Sequence, residues 1–371
     1  MKSINKKLKV ILILGIAFWI NNGKLTANPG EKKIEYYFSQ TLFTTFSFIN
    51  MGKYYDNDTL KMNSLAIEIS KKIDQNLTEN SKREVLENYL NLKKRHGWML
   101  DYVSTMIAIN SSIPPEIEPL SNQIITFDKE YGTNNKWILD QLESWKSIFP
   151  LLNKFWVESR ITDFIREYQP IYDSVGAIYL AQAQNVVDRS LQYLKVSKDH
   201  EFAYKSIKLI INLIGPEGEM GPEFCNIKYD IKGYNTTYTY RPHEMLHSLV
   251  SNLTKSQLYE SKIEKIVDIV WSSIKDSVAT KSYPTKIIYF DECLVRALDY
   301  RIVQLNKLSY NFIIERQLAN DQKKGFVLVA PILSSIMEYE KSGKKFHDIF
   351  DRLLIMIDEN LKNQINSEKR Y

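Results

Sequence analysis

The chain is poor in thiols, with Cys225 and Cys293 the only two in 371 residues. They allow at most one bridge, across a long loop, and two unpaired buried thiols are the default expectation. No apolar run approaches the roughly 20 residues of a membrane-spanning helix. There is no internal repeat, low-complexity tract or Pro/Ser linker to divide the chain. A lasting basic excess is also missing. The formal charge is +5, but Lys2, Lys6, Lys7, Lys9 and Lys24 lie in residues 1–27, which hold no acid. The remainder balances 44 basic against 44 acidic residues, which argues against a nucleic-acid binder. With 44% hydrophobic and 25% charged residues the composition is that of a globular protein.

What residues 1–27 do contain is a basic stretch to Lys9, an apolar run Val10–Ile20, then small and polar residues to Leu25-Thr26-Ala27. That order is expected of a secretory signal peptide cut after Ala27, with an uncleaved signal anchor as the alternative. No Cys follows the apolar run, so a lipoprotein anchor is excluded. The expected mature protein is exported, to the periplasm or beyond, without a stable membrane span.

Apolar residues recur at helical spacing from about residue 59 to 196, as in Ile171, Val175, Ile178, Val186 and Leu191. Period-two alternation then takes over in 206–213, 225–231 and 234–240, and predicts a small antiparallel sheet. The pattern is helical again from Pro242 onward. The expected fold is α+β and mostly helical, with a helical region at 28–200 and a second region, holding the sheet and later helices, at 201–371.

Directly after the third predicted strand stands His243-Glu244-Met245-Leu246-His247, an HExxH sequence that uses two of only five histidines. Residues four apart share one face of a helix, so His243 and His247 can offer imidazole nitrogens to one zinc ion. Glu244 points aside, where it can take a proton from an activated water. On a helical wheel Met245, Leu246, Leu249, Val250 and Leu253 fill an arc of roughly 140°, with both histidines at its edge. A catalytic zinc needs a third ligand, and Glu292 is the leading candidate, with Asp291 and Glu260 as competitors. Glu292, Arg296 and Asp299 share a stripe about 60° wide, opposite a core stripe of Leu294, Leu298, Ile302 and Leu305. The competing reading is an exposed Glu292–Arg296 pair worth a few tenths of a kcal/mol. His96, His200 and His347 stand alone and are expected at the surface.

At these residues the sequence resembles the gluzincin metallopeptidases. It looks most like a group of exported bacterial proteins, without an assigned activity, that share a Glu-x-x-Val-Arg-Ala element, here Glu292 to Ala297. The resemblance implies a zincin-like catalytic region with Zn2+ held by His243, His247 and Glu292, and Glu244 as general base. It also implies a sheet before the active helix whose edge, at 234–240, holds an extended peptide or protein substrate. Arg296 stands where thermolysin-like members carry an aspartate, which leaves the acid that orients the histidines open; Asp299 is the expected one. Arg296, Tyr238 and Tyr240 are candidates for the oxyanion donor. The alternative function is a non-catalytic exported binding or assembly protein that keeps the motif without turnover.

Overall fold

A computed structural model describes residues 33–114, 116–118, 140–141, 143–196, 206–215, 224–226, 229–230, 233–234, 242–307 and 312–368. The segments 1–27 and 235–240 lie outside the described residues, as do His200, Tyr238 and Tyr240. The chain is mostly helical. Among the described residues, strand β1 (Lys33–Tyr37) is followed by the helices α1 (Gln40–Tyr55), α2 (Ser64–Asp74), α3 (Glu79–His96), α4 (Leu100–Ile109), α5 (Ile148–Glu158) and α6 (Ile161–Leu194). Short strands follow: β2 (Ser206–Asn212), β3 (Phe224–Asn226), β4 (Tyr229–Asp230) and β5 (Gly233–Tyr234). The chain closes with α7 (His243–Thr254), α8 (Gln257–Ile274), α9 (Val278–Ser282), α10 (Lys286–Asn306), α11 (Ile314–Lys324), α12 (Val329–Ser342) and α13 (Phe350–Glu368).

The first half packs around α1, in which every residue from Thr41 to Lys53 is buried. Ser39 starts that helix by accepting the Leu42 N–H on its side chain, and Thr78 does the same for α3 through Ser81. His96, expected at the surface, is buried at the end of α3 with Nε2 3.1 Å from Ser144 Oγ. Burial holds its pKa below the ordinary histidine value, and Arg95 adds to that. His347 is exposed, as its sequence neighbourhood implies.

The expected antiparallel sheet is corrected by the pairing. Strand β2 lies between β1 and β3 and runs parallel to both, with Ile34 opposite Ile207 and Ile211 opposite Cys225. Antiparallel pairing among the described residues is confined to the two-residue ladder of β4 and β5. Alternation marks a strand but not the direction of its partner, and the partner here comes from residues 33–37. Leu209, Ile210, Ile211 and Leu213 are all buried. A strand covered on both faces reads as a continuous apolar run, which explains Ile210 breaking the alternation. Helix α6 covers β1 closely at Gly176, where a Cβ would lie 2.5 Å from the Tyr36 ring.

Contacts cross the chain near residue 200 in both directions. Besides the β1–β2 pairing, Asn50 and Asn63 donate to the carbonyls of Ile214 and Leu213, each at 2.8 Å. Further on, Tyr193 of α6 donates to Glu340 of α12 at 2.7 Å. In the second half, α10 is the central helix and packs against α7, α8 and α12. Its side chains are buried on all sides from Tyr289 to Val295, while Leu305, expected on its core stripe, is 48% exposed where the helix leaves the core. No helix among the described residues is long and apolar enough to cross a membrane.

Candidate metal centre

Helix α7 begins at His243 itself, with Pro242 at its N-cap and the Leu246 N–H donating to the Pro242 carbonyl at 2.8 Å. A proline costs little there because the first helical N–H groups have no partner within the helix. The apolar arc behaves as the wheel predicts: Met245, Leu246, Leu249, Val250 and Leu253 are buried. That burial turns the edge carrying His243 and His247 toward α10. Each imidazole side chain keeps 21% of its surface exposed.

Glu292 meets them from α10. Its Oε2 lies 3.2 Å from His247 Nε2 and its Oε1 lies 3.6 Å from His243 Nε2. The three side chains each offer one ligand atom within 4.8 Å of the others. Glu292 is 1% exposed, which overturns the reading of an exposed helix-surface pair with Arg296. Burial opposes its charge, but His243, His247 and Arg296 hold its carboxyl well below the usual range.

Asp291, weighed from the sequence only as a rival ligand, binds the far side of a histidine. Its Oδ2 lies 2.7 Å from His247 Nδ1. Ser251 donates to both its oxygens at 3.0 Å, and Thr254 donates to Oδ1. Burial disfavours the Asp291 charge, yet His247, Thr254 and Lys255 keep its pKa below the ordinary aspartate value. His247, Ser251 and Thr254 share one stripe of α7, a polar spacing visible in the sequence once a partner acid is sought. Asp291, rather than Asp299, is thus the acid that orients His247. Asp299 is fully buried two turns beyond Glu292. Glu260 is exposed on α8, beside a surface cleft with Thr254 and Lys255, and does not join the cluster.

Arg296 reaches back along α10 to Glu292. Its Nε sits 2.6 Å from Glu292 Oε1, but the N–H is not aligned for a hydrogen bond, and both atoms are buried without one. Its Nη1 donates to Asp321 Oδ1 at 3.0 Å. Asp321 and Phe326, which complete its surroundings, carry no local signal that ties them to Arg296. Cys293, next to Glu292 in the chain, is a buried free thiol. The backbone of Glu244 lies in the first turn of α7; its side chain is outside the described residues.

The donor set fits a zinc ion by three observations. Two imidazoles and one carboxylate leave an open fourth position, as catalytic zinc sites do. Ligands about 2.0–2.1 Å from a tetrahedral ion stand roughly 3.3 Å apart, and each ring Nε2 has one Glu292 oxygen near that distance, Oε2 at 3.2 Å from His247 and Oε1 at 3.6 Å from His243. Finally, the buried Glu292 Oε1 carries charge without an aligned donor. With Nδ1 donating to Asp291, a neutral His247 presents Nε2 as an acceptor toward Glu292. Two facing acceptors repel unless a cation lies between them.

Residues 221–354, which include His243, His247 and Glu292, match the family model of a domain of unknown function, DUF4932. No curated protein and no solved structure matches the chain.

Proposed function

We propose that this chain is an exported zinc-dependent peptidase of gluzincin type. The observation that carries the reading is the convergence of His243, His247 and Glu292, with Asp291 tethering the back of His247. Metal-binding histidines characteristically give their other ring nitrogen to a carboxylate, which fixes the tautomer and raises ligand basicity. Zinc at these three residues would supply Lewis-acid activation of water and of a peptide carbonyl. Glu244, adjacent in sequence to the first ligand, accepts the proton of the attacking water on its carboxylate and returns it to the departing amine nitrogen. Arg296 is engaged by Glu292 and Asp321, which argues against it as the oxyanion donor. That donor is left to Tyr238 or Tyr240, and the substrate to an extended peptide along 234–240.

A second reading has its own observation. A doubly protonated His247 lying between Asp291 at 2.7 Å and Glu292 at 3.2 Å satisfies the same distances without a metal. It belongs to the non-catalytic binding or assembly protein. Metal analysis of the purified chain, followed by peptide hydrolysis with and without chelator, separates the two. Zinc-dependent cleavage supports the peptidase; a metal-free chain that takes up no zinc supports the second reading.

A further inference from the structure

The end of α11 presents two groups to Arg296. Asp321 is 3% exposed; its Oδ1 accepts from Arg296 Nη1 at 3.0 Å and its Oδ2 accepts from the Tyr300 hydroxyl at 2.5 Å. The helix then stops at Gly325, whose φ is +94°, and the Phe326 N–H donates back to the Asp321 carbonyl at 2.9 Å. This turn lays the Phe326 ring against the guanidinium, with Cζ 4.1 Å from the ring centroid, a favourable place for a cation. The turn itself is fixed. Tyr289 donates to the Gly325 carbonyl at 2.8 Å, and a Cβ at 325 would lie 2.3 Å from Ser277 Oγ.

On its other side the guanidinium touches Glu292 Oε1 without an aligned hydrogen bond. A permanent cation in that place is a rival for the carboxylate that a metal needs. Released from Asp321, Arg296 would turn paired N–H groups onto Glu292 in the bidentate geometry that guanidinium and carboxylate favour. We infer that Asp321 is a positioning residue for the cluster: it holds the Arg296 guanidinium off a hydrogen-bonded grip on Glu292 and keeps that carboxylate available to a divalent cation. The inference rests on the metal reading above and extends it to a residue on another helix.

The test is zinc affinity of the full chain, measured by competition with a chromogenic chelator, beside thermal unfolding of the metal-free protein. Asp321→Asn is expected to weaken zinc by about 10-fold or more. Adding Arg296→Gln to it should restore most of that loss, because the competitor is gone. A merely structural role predicts no such rescue, and an unrescued loss that follows a fall in metal-free Tm overturns the inference. Should Asp321→Asn not fold, Tyr300→Phe removes one Asp321 bond and is expected to weaken zinc by about 2- to 5-fold; unchanged affinity overturns the inference equally. A wild-type chain that binds zinc while Asp321→Asn binds it as tightly overturns this inference alone. A wild-type chain that binds none removes the metal reading and this inference together.

Discussion

His247 stands between two acids of one helix, with Nδ1 2.7 Å from Asp291 Oδ2 and Nε2 3.2 Å from Glu292 Oε2. Adjacent residues of α10 therefore address opposite nitrogens of the same ring, Asp291 as anchor at the back and Glu292 on the side shared with His243. Asp291→Asn keeps the shape but not the charge, and should weaken zinc about 10- to 100-fold. Glu260→Ala, on the exposed face of α8, should leave zinc affinity unchanged. Chelator competition on both variants checks the pair, and equal affinities would remove Asp291 from the site.

Glu244→Gln separates turnover from metal binding. The variant retains hydrogen-bonding capacity and loses the proton acceptor. It should bind zinc as the wild type does and lose about 10²-fold or more in kcat. Peptide hydrolysis at the wild-type rate by zinc-loaded Glu244→Gln would take Glu244 out of the mechanism.

Glu340 couples the two halves of the chain. Its oxygens accept from Arg301 Nε and Nη2, each at 2.6 Å, and from the Tyr193 hydroxyl. Burial opposes its charge, but Arg301 and Tyr193 hold its pKa below the ordinary value of 4.5. The folded value lies below the unfolded one. The stabilisation is therefore present above about pH 4.5 and is lost as pH falls through the folded value. Glu340→Gln should cost about 1–2 kcal/mol near pH 7 and less at pH 3. Urea unfolding at the two pH values reads the difference; an equal loss at both contradicts it.

Gly176→Ala would push a Cβ to 2.5 Å from the Tyr36 ring. Alanine gains up to about 1 kcal/mol of helix propensity, while overpacking costs about 1–3 kcal/mol. A net loss of about 1 kcal/mol is expected as a lower urea midpoint at unchanged slope. A higher midpoint would show that α6 and β1 are less closely packed than described.

The histidines and Glu292 were legible because helical spacing is local and because a catalytic zinc calls for a third ligand. Asp291 was visible only as a rival for that place. Spacing cannot say whether an acid beside a ligand faces the metal or the back of a histidine. Asp321 was invisible, since it meets Arg296 from 25 residues away and no pattern joins them. The strands were readable from alternation, yet the partner of β2 lay at 33–37, beyond any local signal. The burial of His96 has the same cause: its charged sequence neighbours give no sign of the contact with Ser144, 48 residues on.

Zinc content tests the central claim most directly. Wild-type chain purified, stripped and reloaded should hold about one zinc. Glu292→Ala and His243→Ala should each lose it, while Glu260→Ala should keep it. Metal-free wild type that takes up no zinc, or a Glu292→Ala chain that holds it as tightly as the wild type, would contradict the account.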